Sequence, residues 1–295
     1  MMPIPGYPAS FTFVSDEVSQ DPAVVARFAR RHGFRGIELR SMFGRQFRDL
    51  SGSDVAEIRR VLGDHGLSVH GCATPVFKCA RGDAAQLREH RELFRRSVDV
   101  AHALGCTLLR VFTFLRESTP GTAPAIAEAA AQVAALRELA GTMLIGVENE
   151  ASCIVGTPEE CVQLLRYLPE TGFGLIWDPC NVLYVPSHAG AATAGFAALA
   201  HRVIHIHAKD AARTPAGVEA RKMGDGEVGW HAHFADLAHR GYRGLISLET
   251  HWRKTALAGD ALHLPGGQAF SLGGEAASEE CLEAIRHLLP GQGAV

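Results

Sequence analysis

Four short clusters along this 295-residue chain hold residues able to do acid–base or metal chemistry: Glu148-Asn149-Glu150, Asp178-Pro179-Cys180-Asn181, His205-Ile206-His207-Ala208-Lys209-Asp210 and Glu249-Thr250-His251. Each follows a short apolar run. Glu148, Asp178, His207 and Glu249 are the first or second ionisable residue at the end of four successive predicted strands. Three carboxylates brought together repel one another, and burying each ion costs several kcal/mol. A divalent cation neutralises them with the fewest assumptions. Three carboxylates and one imidazole suit a hard or borderline ion, Mn²⁺ or Mg²⁺ before a thiolate-loving one. The competing reading is a set of solvated ion pairs with Lys78, Arg110, Lys209 and Arg213. It serves any one of the four acids or bases, but fits poorly a set of four at successive strand ends.

The elements that must position these residues alternate. Apolar runs at Phe11–Val14, Gly36–Leu39, Leu67–Val69, Thr107–Phe112, Met143–Val147, Gly172–Trp177, Val203–Ile206 and Leu245–Leu248 read as buried parallel strands. Between them, helices are predicted over Asp21–His32, Ser53–His65, Asp83–Leu104, Ala123–Ala140, Thr157–Leu168, Ala191–His201, Trp230–His239 and Ser278–Leu289. Their signals are Asp-Pro and Thr-Pro starts and glycine stops. Eight βα repeats in a chain near the usual barrel length of about 250 residues predict a (β/α)8 TIM barrel, an α/β fold in one domain spanning residues 1–295. A doubly wound sheet competes, but the first strand runs into Ser15-Asp16-Glu17, not a Gly-rich phosphate turn. In a barrel, the C-terminal strand ends share one rim. Lys254–Glu275 after the last strand is the longest irregular stretch: a lid, an oligomer contact or a mobile loop. A homo-oligomer is compatible with it.

Composition narrows the function classes. Lys plus Arg is 29 against 32 Asp plus Glu, a net charge of -3, so the basic excess of a general nucleic-acid binder is missing. The seven cysteines form no C-x-x-C pair and read as small buried residues in a reducing cytoplasm. No signal peptide and no apolar run of membrane-spanning length is apparent, and a cytoplasmic location is expected.

Several segments together resemble the xylose-isomerase-like TIM barrels, the superfamily of sugar isomerases and epimerases that includes ketose 3-epimerases, hydroxypyruvate isomerase, inosose dehydratase and apurinic endonucleases. The carriers are SDEVSQD, GIELR, TPVFKC, GVENE, WDPCN, HIHAKDA, GDGEVGW and ISLETHW, spread over nearly the whole chain. The resemblance implies metal binding by Glu148, Asp178, His207 and Glu249, the set already singled out. It also implies that Glu148 and Glu249 exchange the substrate proton. An arginine six residues after the metal histidine contacts substrate in the epimerases, which implies that role for Arg213. Asn181 stands where the epimerases carry a histidine three residues after the aspartate, and is expected to face substrate. The endonuclease branch resembles this chain less. Its additional histidine ligands are replaced here by Arg110, Asn181 and Arg221-Lys222-Met223.

The expected reaction is therefore a divalent-metal-dependent sugar or polyol isomerisation or epimerisation. A proton is abstracted next to a metal-bound carbonyl, through an enediolate. Mn²⁺ is the first choice, with Mg²⁺, Co²⁺ or Zn²⁺ as alternatives. Loss of a β-hydroxyl instead would make an inosose-type dehydratase. A non-catalytic sugar-binding barrel is the rival of a different class. Lys78 could hold a carboxylate, phosphate or enediolate oxygen, or lie on the surface. Glu38 could bond a substrate hydroxyl, or pair with Arg40 or Arg110. Arg110, Arg116 and Arg213 could clamp a phosphate. His231, His233 and His239 are expected on the outer surface of the seventh helix.

Overall fold

The computed structural model describes residues 2–3 by their backbone, and residues 7–117, 121–186, 188–255 and 267–290 in full. The eight principal strands are β1 (Ser10–Phe13), β2 (Gly36–Leu39), β3 (Ser68–Ala73), β4 (Leu108–Val111), β5 (Leu144–Glu148), β6 (Phe173–Trp177), β7 (Val203–Ala208) and β8 (Leu245–Leu248). β2, β4 and β6 are buried at every position. Strands buried on both faces read as largely apolar runs, which is why they stand out in the sequence.

The helices after them are α1 (Pro22–Arg31), α2 (Gly52–Asp64), α3 (Ala84–Ala103), α4 (Ala123–Ala135), α5 (Pro158–Tyr167), α6 (Phe196–Leu199), α7 (Trp230–His239) and α8 (Gly274–Leu288). Local chemistry starts several of them. Asp21 and Asp83 accept the first amides of α1 and α3, and Ser51 and Thr157 form reciprocal capping boxes with Asp54 and Glu160. This is a (β/α)8 TIM barrel, as the alternation predicts.

Two compact units can be described separately. Residues 71–205 carry the parallel array β4-β5-β6, bounded by β3 and β7. In it Ala73 pairs with Arg110, Val111 with Val147, and Glu148 with Ile176. Residues 1–70 and 206–295 carry β7-β8-β1, and a parallel bridge joins Val14 to Glu38 of β2. In this unit Leu245 to Leu248 pair in step with Ser10 to Phe13. Its core is aromatic, with Phe13, Phe28 and Phe34 in mutual ring contact and Phe11 against Phe234.

The structure corrects some expected boundaries. β3 runs on to Ala73, because Gly71, Cys72 and Ala73 are small and buried and extend the strand past His70. The sixth helix shrinks to Phe196–Leu199 and a 3-10 turn at Ala200–Arg202, because Gly195 takes a left-handed φ of 83° and breaks the earlier residues from it. The predicted Ala123–Ala140 helix divides, with Arg137–Ala140 a separate turn. The last helix starts at Gly274, four residues early. A Cβ there would lie 2.1 Å from the Glu17 carbonyl oxygen, so only glycine permits this approach. Residues 256–266 of the Lys254–Glu275 stretch lie outside the described residues. Among the described residues, the seven cysteines are buried and none forms a disulfide, and no helix is long and apolar enough to cross a membrane.

Candidate functional site

In the unit of residues 71–205, β5 ends on Glu148, which is 1% exposed. Arg110 on β4 stands opposite Gly146, two residues earlier on the same strand face. Its Nη1 reaches Glu148 Oε2 at 2.6 Å. On the other side, the Asn181 amide nitrogen donates to Glu148 Oε1 at 3.2 Å and to the Asn149 carbonyl at 2.9 Å. Asp178 follows β6 and caps the short helix Pro179–Leu183, accepting the Asn181 N–H at 3.1 Å. The Asn149 amide is clamped to the Asp178 backbone in both directions, at 2.8 Å each. The sequence WDPCN thus does local work: the aspartate caps, the proline starts the helix, and the asparagine returns to the glutamate of the neighbouring strand. Asn181 touches Glu148 here, a contact its expected role facing substrate did not include.

Lys78 sits in the loop after β3, on the exposed side of Phe112. Its Nζ lies 5.0 Å from that ring and 3.4 Å from Glu150 Oε2, while the Arg110 guanidinium lies 4.3 Å from the same ring. The loop is held in an uncommon backbone conformation. Phe77 and Phe114 both have positive φ, 63° and 65°, and their rings stack at 4.7 Å.

In the other unit, Glu249 follows β8 and its N–H donates to the Ala208 carbonyl at the end of β7. Both its oxygens meet cations. Oε1 accepts from Arg40 in a short contact, and Oε2 accepts from the Lys209 ammonium at 2.8 Å. Burial alone would raise the Glu249 carboxyl, but Lys209, His251, Arg40 and His207 hold it well below the usual range. Burial also pushes His251 down to about 4, so that ring is neutral near pH 7. Lys209 and Arg40, each hydrogen-bonded to one of its oxygens, therefore carry the effect.

Arg40 goes on to Asp16 and Glu17, which follow β1 on the turn Ser15–Val18. Arg253 also reaches Glu17, at 3.2 Å. Of the partners offered for Glu38, Arg40 is thus engaged by these acids. Arg40 lies past the end of its strand, where the acidic turn meets it. The signal was present in SDE after the first strand and Arg after the second, two strands joined by the Val14–Glu38 bridge. Glu38 is instead 1% exposed beside His207, with both carboxylate oxygens 3.1 Å from His207 Nε2. The Ser247 hydroxyl donates to Glu38 Oε2 at 2.5 Å, and His207 Nδ1 lies 3.5 Å from Glu249 Oε2.

Arg213 lies on a two-stranded hairpin, Asp210–Thr214 with Gly217–Arg221, and pairs with Glu227 at 3.0 Å. Arg116 is held by Glu160 at 2.7 Å. With Arg110 on Glu148, each arginine of the expected phosphate clamp already has a carboxylate. Asp210 was missed as an organising residue. Its carboxylate accepts the N–H groups of Ala211, Gly224, Gly226 and Val228. A Cβ on Gly226 would lie 2.2 Å from Asp210 Oδ1, which explains the GDGEVG segment as a turn wrapped on one buried acid. His231 and His239 are exposed as expected, but His233 is buried, because the helix turns that residue inward beside Trp230.

The donor chemistry fits a divalent cation. Glu148, Asp178, His207 and Glu249 are all at least 97% buried oxygen or imidazole donors. His207 has its Nε2 on Glu38 and turns Nδ1 toward Glu249 Oε2, 3.5 Å away. Burial pushes the thiols of Cys79 and Cys153 up to about 11 and about 12, which disfavours their thiolates near pH 7.

The chain resembles several solved structures along almost its full length. A D-allulose 3-epimerase from Methylomonas sp. superposes with a TM-score of 0.72 at 19% identity, covering 96% of this chain and 99% of that one. An IOLI protein with a bound zinc atom gives a TM-score of 0.72 at 16% identity, covering 97% and 100%. The probable 3-DHS dehydratase AsbF from Bacillus anthracis gives 0.67 at 15%, covering 92% and 97%. At these identities the likeness is one of fold. No curated protein matches the sequence. The family model described as xylose isomerase-like TIM barrel matches residues 26–286, and with the architecture above this makes the chain a member of the xylose isomerase-like TIM barrel family.

Proposed function

We propose that the chain is a divalent-metal-dependent isomerase or epimerase of a small polyhydroxylated carbonyl compound, working as one domain over residues 1–295. Glu148, Asp178, His207 and Glu249 would hold the ion, Mn²⁺ first. The observation that carries this reading is the donor set itself: three buried carboxylates and one buried imidazole at the ends of β5, β6, β7 and β8. When bound, the ion polarises a substrate carbonyl and makes the adjacent C–H more acidic.

The chain's own groups then divide the work. A carboxylate oxygen of Glu148 or Glu249 takes the proton, and the C–H electron pair moves into a carbon–carbon double bond as the carbonyl oxygen gains charge. Return of the proton to the other face of the same carbon gives epimerisation; return to the former carbonyl carbon, with the neighbouring hydroxyl's proton passing to the former carbonyl oxygen, gives isomerisation. Arg110 and Asn181 orient Glu148, and Arg40 and Lys209 orient Glu249. The engaged state of Arg110, Arg116 and Arg213 favours an unphosphorylated substrate. The similar folds of D-allulose 3-epimerase and the zinc-binding IOLI protein support a sugar or polyol. Dehydration is the second reading. The Lys209 ammonium beside Glu249 can hand a proton to a departing β-hydroxyl, and AsbF, a probable dehydratase, shares the fold.

The test is solvent deuterium exchange into ketopentoses, ketohexoses, inososes and hydroxypyruvate, run after chelation and again after Mn²⁺ is restored. Exchange that needs Mn²⁺ is expected for at least one compound. Exchange for none, with Mn²⁺ present, would overturn the catalytic reading in favour of a sugar-binding barrel.

A further inference from the structure

We propose that Glu38 is a positioning residue for His207. It accepts the Nε2 proton, fixes the ring's tautomer and rotation, and so directs Nδ1 at the ion; this rests on the metal reading above. Glu38 lies on β2, His207 on β7 and Ser247 on β8. All three are buried, at 1%, 1% and 0% exposure.

An imidazole has two nitrogens, and only the one without a proton can ligate. Both Glu38 oxygens stand 3.1 Å from Nε2. A carboxylate only accepts, so Nε2 must carry the proton in this arrangement. The opposite nitrogen, Nδ1, faces Glu249 Oε2 at 3.5 Å, the side of the ring with a proposed ligand. Glu38 is itself tethered, because the Ser247 hydroxyl donates to its Oε2. Ser247 lies on β8 two residues before Glu249, which follows that strand, so one chain segment supplies a ligand and also steadies the group that aims another ligand. Carboxylate, imidazole and ion in series raise the basicity of the ligating nitrogen, and loss of the carboxylate typically costs about 10–100-fold in metal affinity.

The assignment gives Glu38 a role other than substrate contact, and the two roles separate experimentally. The wild-type protein, Glu38→Gln and Ser247→Ala are compared by ¹⁵N spectroscopy of His207, metal-free and with diamagnetic Zn²⁺, and by Mn²⁺ titration calorimetry without substrate. In wild type, Nε2 should be protonated in both states. Glu38→Gln should lose Mn²⁺ affinity by about 10–100-fold and shift the His207 signals toward the Nδ1-protonated tautomer, because its amide can donate to Nε2. Ser247→Ala keeps the charge of Glu38 but frees it to rotate, so a smaller loss is expected. This variant decides the matter if Glu38→Gln does not fold.

A neutral wild-type ring with the proton on Nδ1 overturns the assignment. So do variants with unchanged Mn²⁺ affinity and unchanged ¹⁵N signals. A wild-type protein that binds no Mn²⁺ overturns the metal reading itself, which distinguishes that failure from a wild type that binds while the variants bind as well.

Discussion

Glu148 and Glu249 each close a barrel strand, and each is buried, yet their surroundings differ in kind. Glu148 has one guanidinium, Arg110, and one neutral amide, Asn181. Glu249 has a cation on each oxygen, and one of them, Arg40, is shared with two further carboxylates. The first arrangement sets a cation on one oxygen against a neutral donor on the other. The second fixes the carboxylate as an anion, as its strongly depressed pKa reflects.

Removing the cations tests the contrast most severely. Arg40→Met would leave Asp16, Glu17 and Glu249 buried around an apolar side chain. Breaking a buried ion pair from one side costs about 3–5 kcal/mol, and three carboxylates share this partner, so Arg40→Met should reach that range. Arg110→Met strands one carboxylate that keeps the Asn181 donor. A loss of about 1–3 kcal/mol is expected there, the cost of one unsatisfied buried group. Urea denaturation at pH 7 reads both. Equal losses would break the comparison, because the network around Glu249 would then be no more interdependent than the pair at Glu148.

Acid sharpens the same comparison by setting a buried acid among cations against a buried base. Glu17 is pushed up by burial but held down by His251, Arg253 and Arg40, so its contribution is present above the ordinary carboxylate range and is lost only as pH falls through it. His233 is the opposite case. Burial lowers its ring from 6.5 to about 4, despite Asp236. Between those values the unfolded chain binds the proton and the folded chain does not. Stability from His233 is therefore complete above about pH 6.5 and falls by about 3 kcal/mol as pH drops to 4. His233→Gln, which never titrates, should flatten that segment of the stability–pH curve and leave the steeper loss below it. An unchanged curve would place the acid sensitivity wholly in the carboxylates.

What the sequence made legible follows from the range of the forces involved. The strands were visible because burial on both faces demands unbroken apolar runs, and the helix starts because caps act within three or four residues. The strand-end acids could be grouped because the barrel rule links strand ends to one rim. Arg40 escaped, since its three acids lie 23, 24 and 209 residues away and neither spacing nor periodicity joins them. Asp210 escaped for the same reason: the glycines of Gly224-Asp225-Gly226 answer to a carboxylate 14–16 residues upstream. Inward-turned His233 escaped because a histidine among alanines gives the helix face no clear sign. Short-range chemistry writes itself into neighbouring letters, whereas a long-range network shows only once the chain is folded.

The smallest effects are expected where exposed pairs replace buried ones, at Lys78 and Arg213. Lys78 is 38% exposed and 3.4 Å from Glu150; Arg213 is 35% exposed and 3.0 Å from Glu227. Solvent screens such pairs to within about 1 kcal/mol, so Lys78→Ala and Arg213→Ala should leave urea midpoints almost unchanged. Their kinetic signatures should differ. Lys78 reaches across Phe112, which also contacts Arg110, the partner of Glu148. If its ammonium stabilises charge developing on the substrate, Lys78→Ala lowers kcat with little change in KM. Arg213 is carried by the hairpin, and its pair with Glu227 ties the turn that Asp210 organises. If it contacts ground-state substrate, Arg213→Ala raises KM and spares kcat. A loss of several kcal/mol in stability from either variant would mean that these cations belong with Arg40 as buried scaffolding. No kinetic change in Lys78→Ala would restrict the charge-stabilising groups near Glu148 to Arg110 and Asn181.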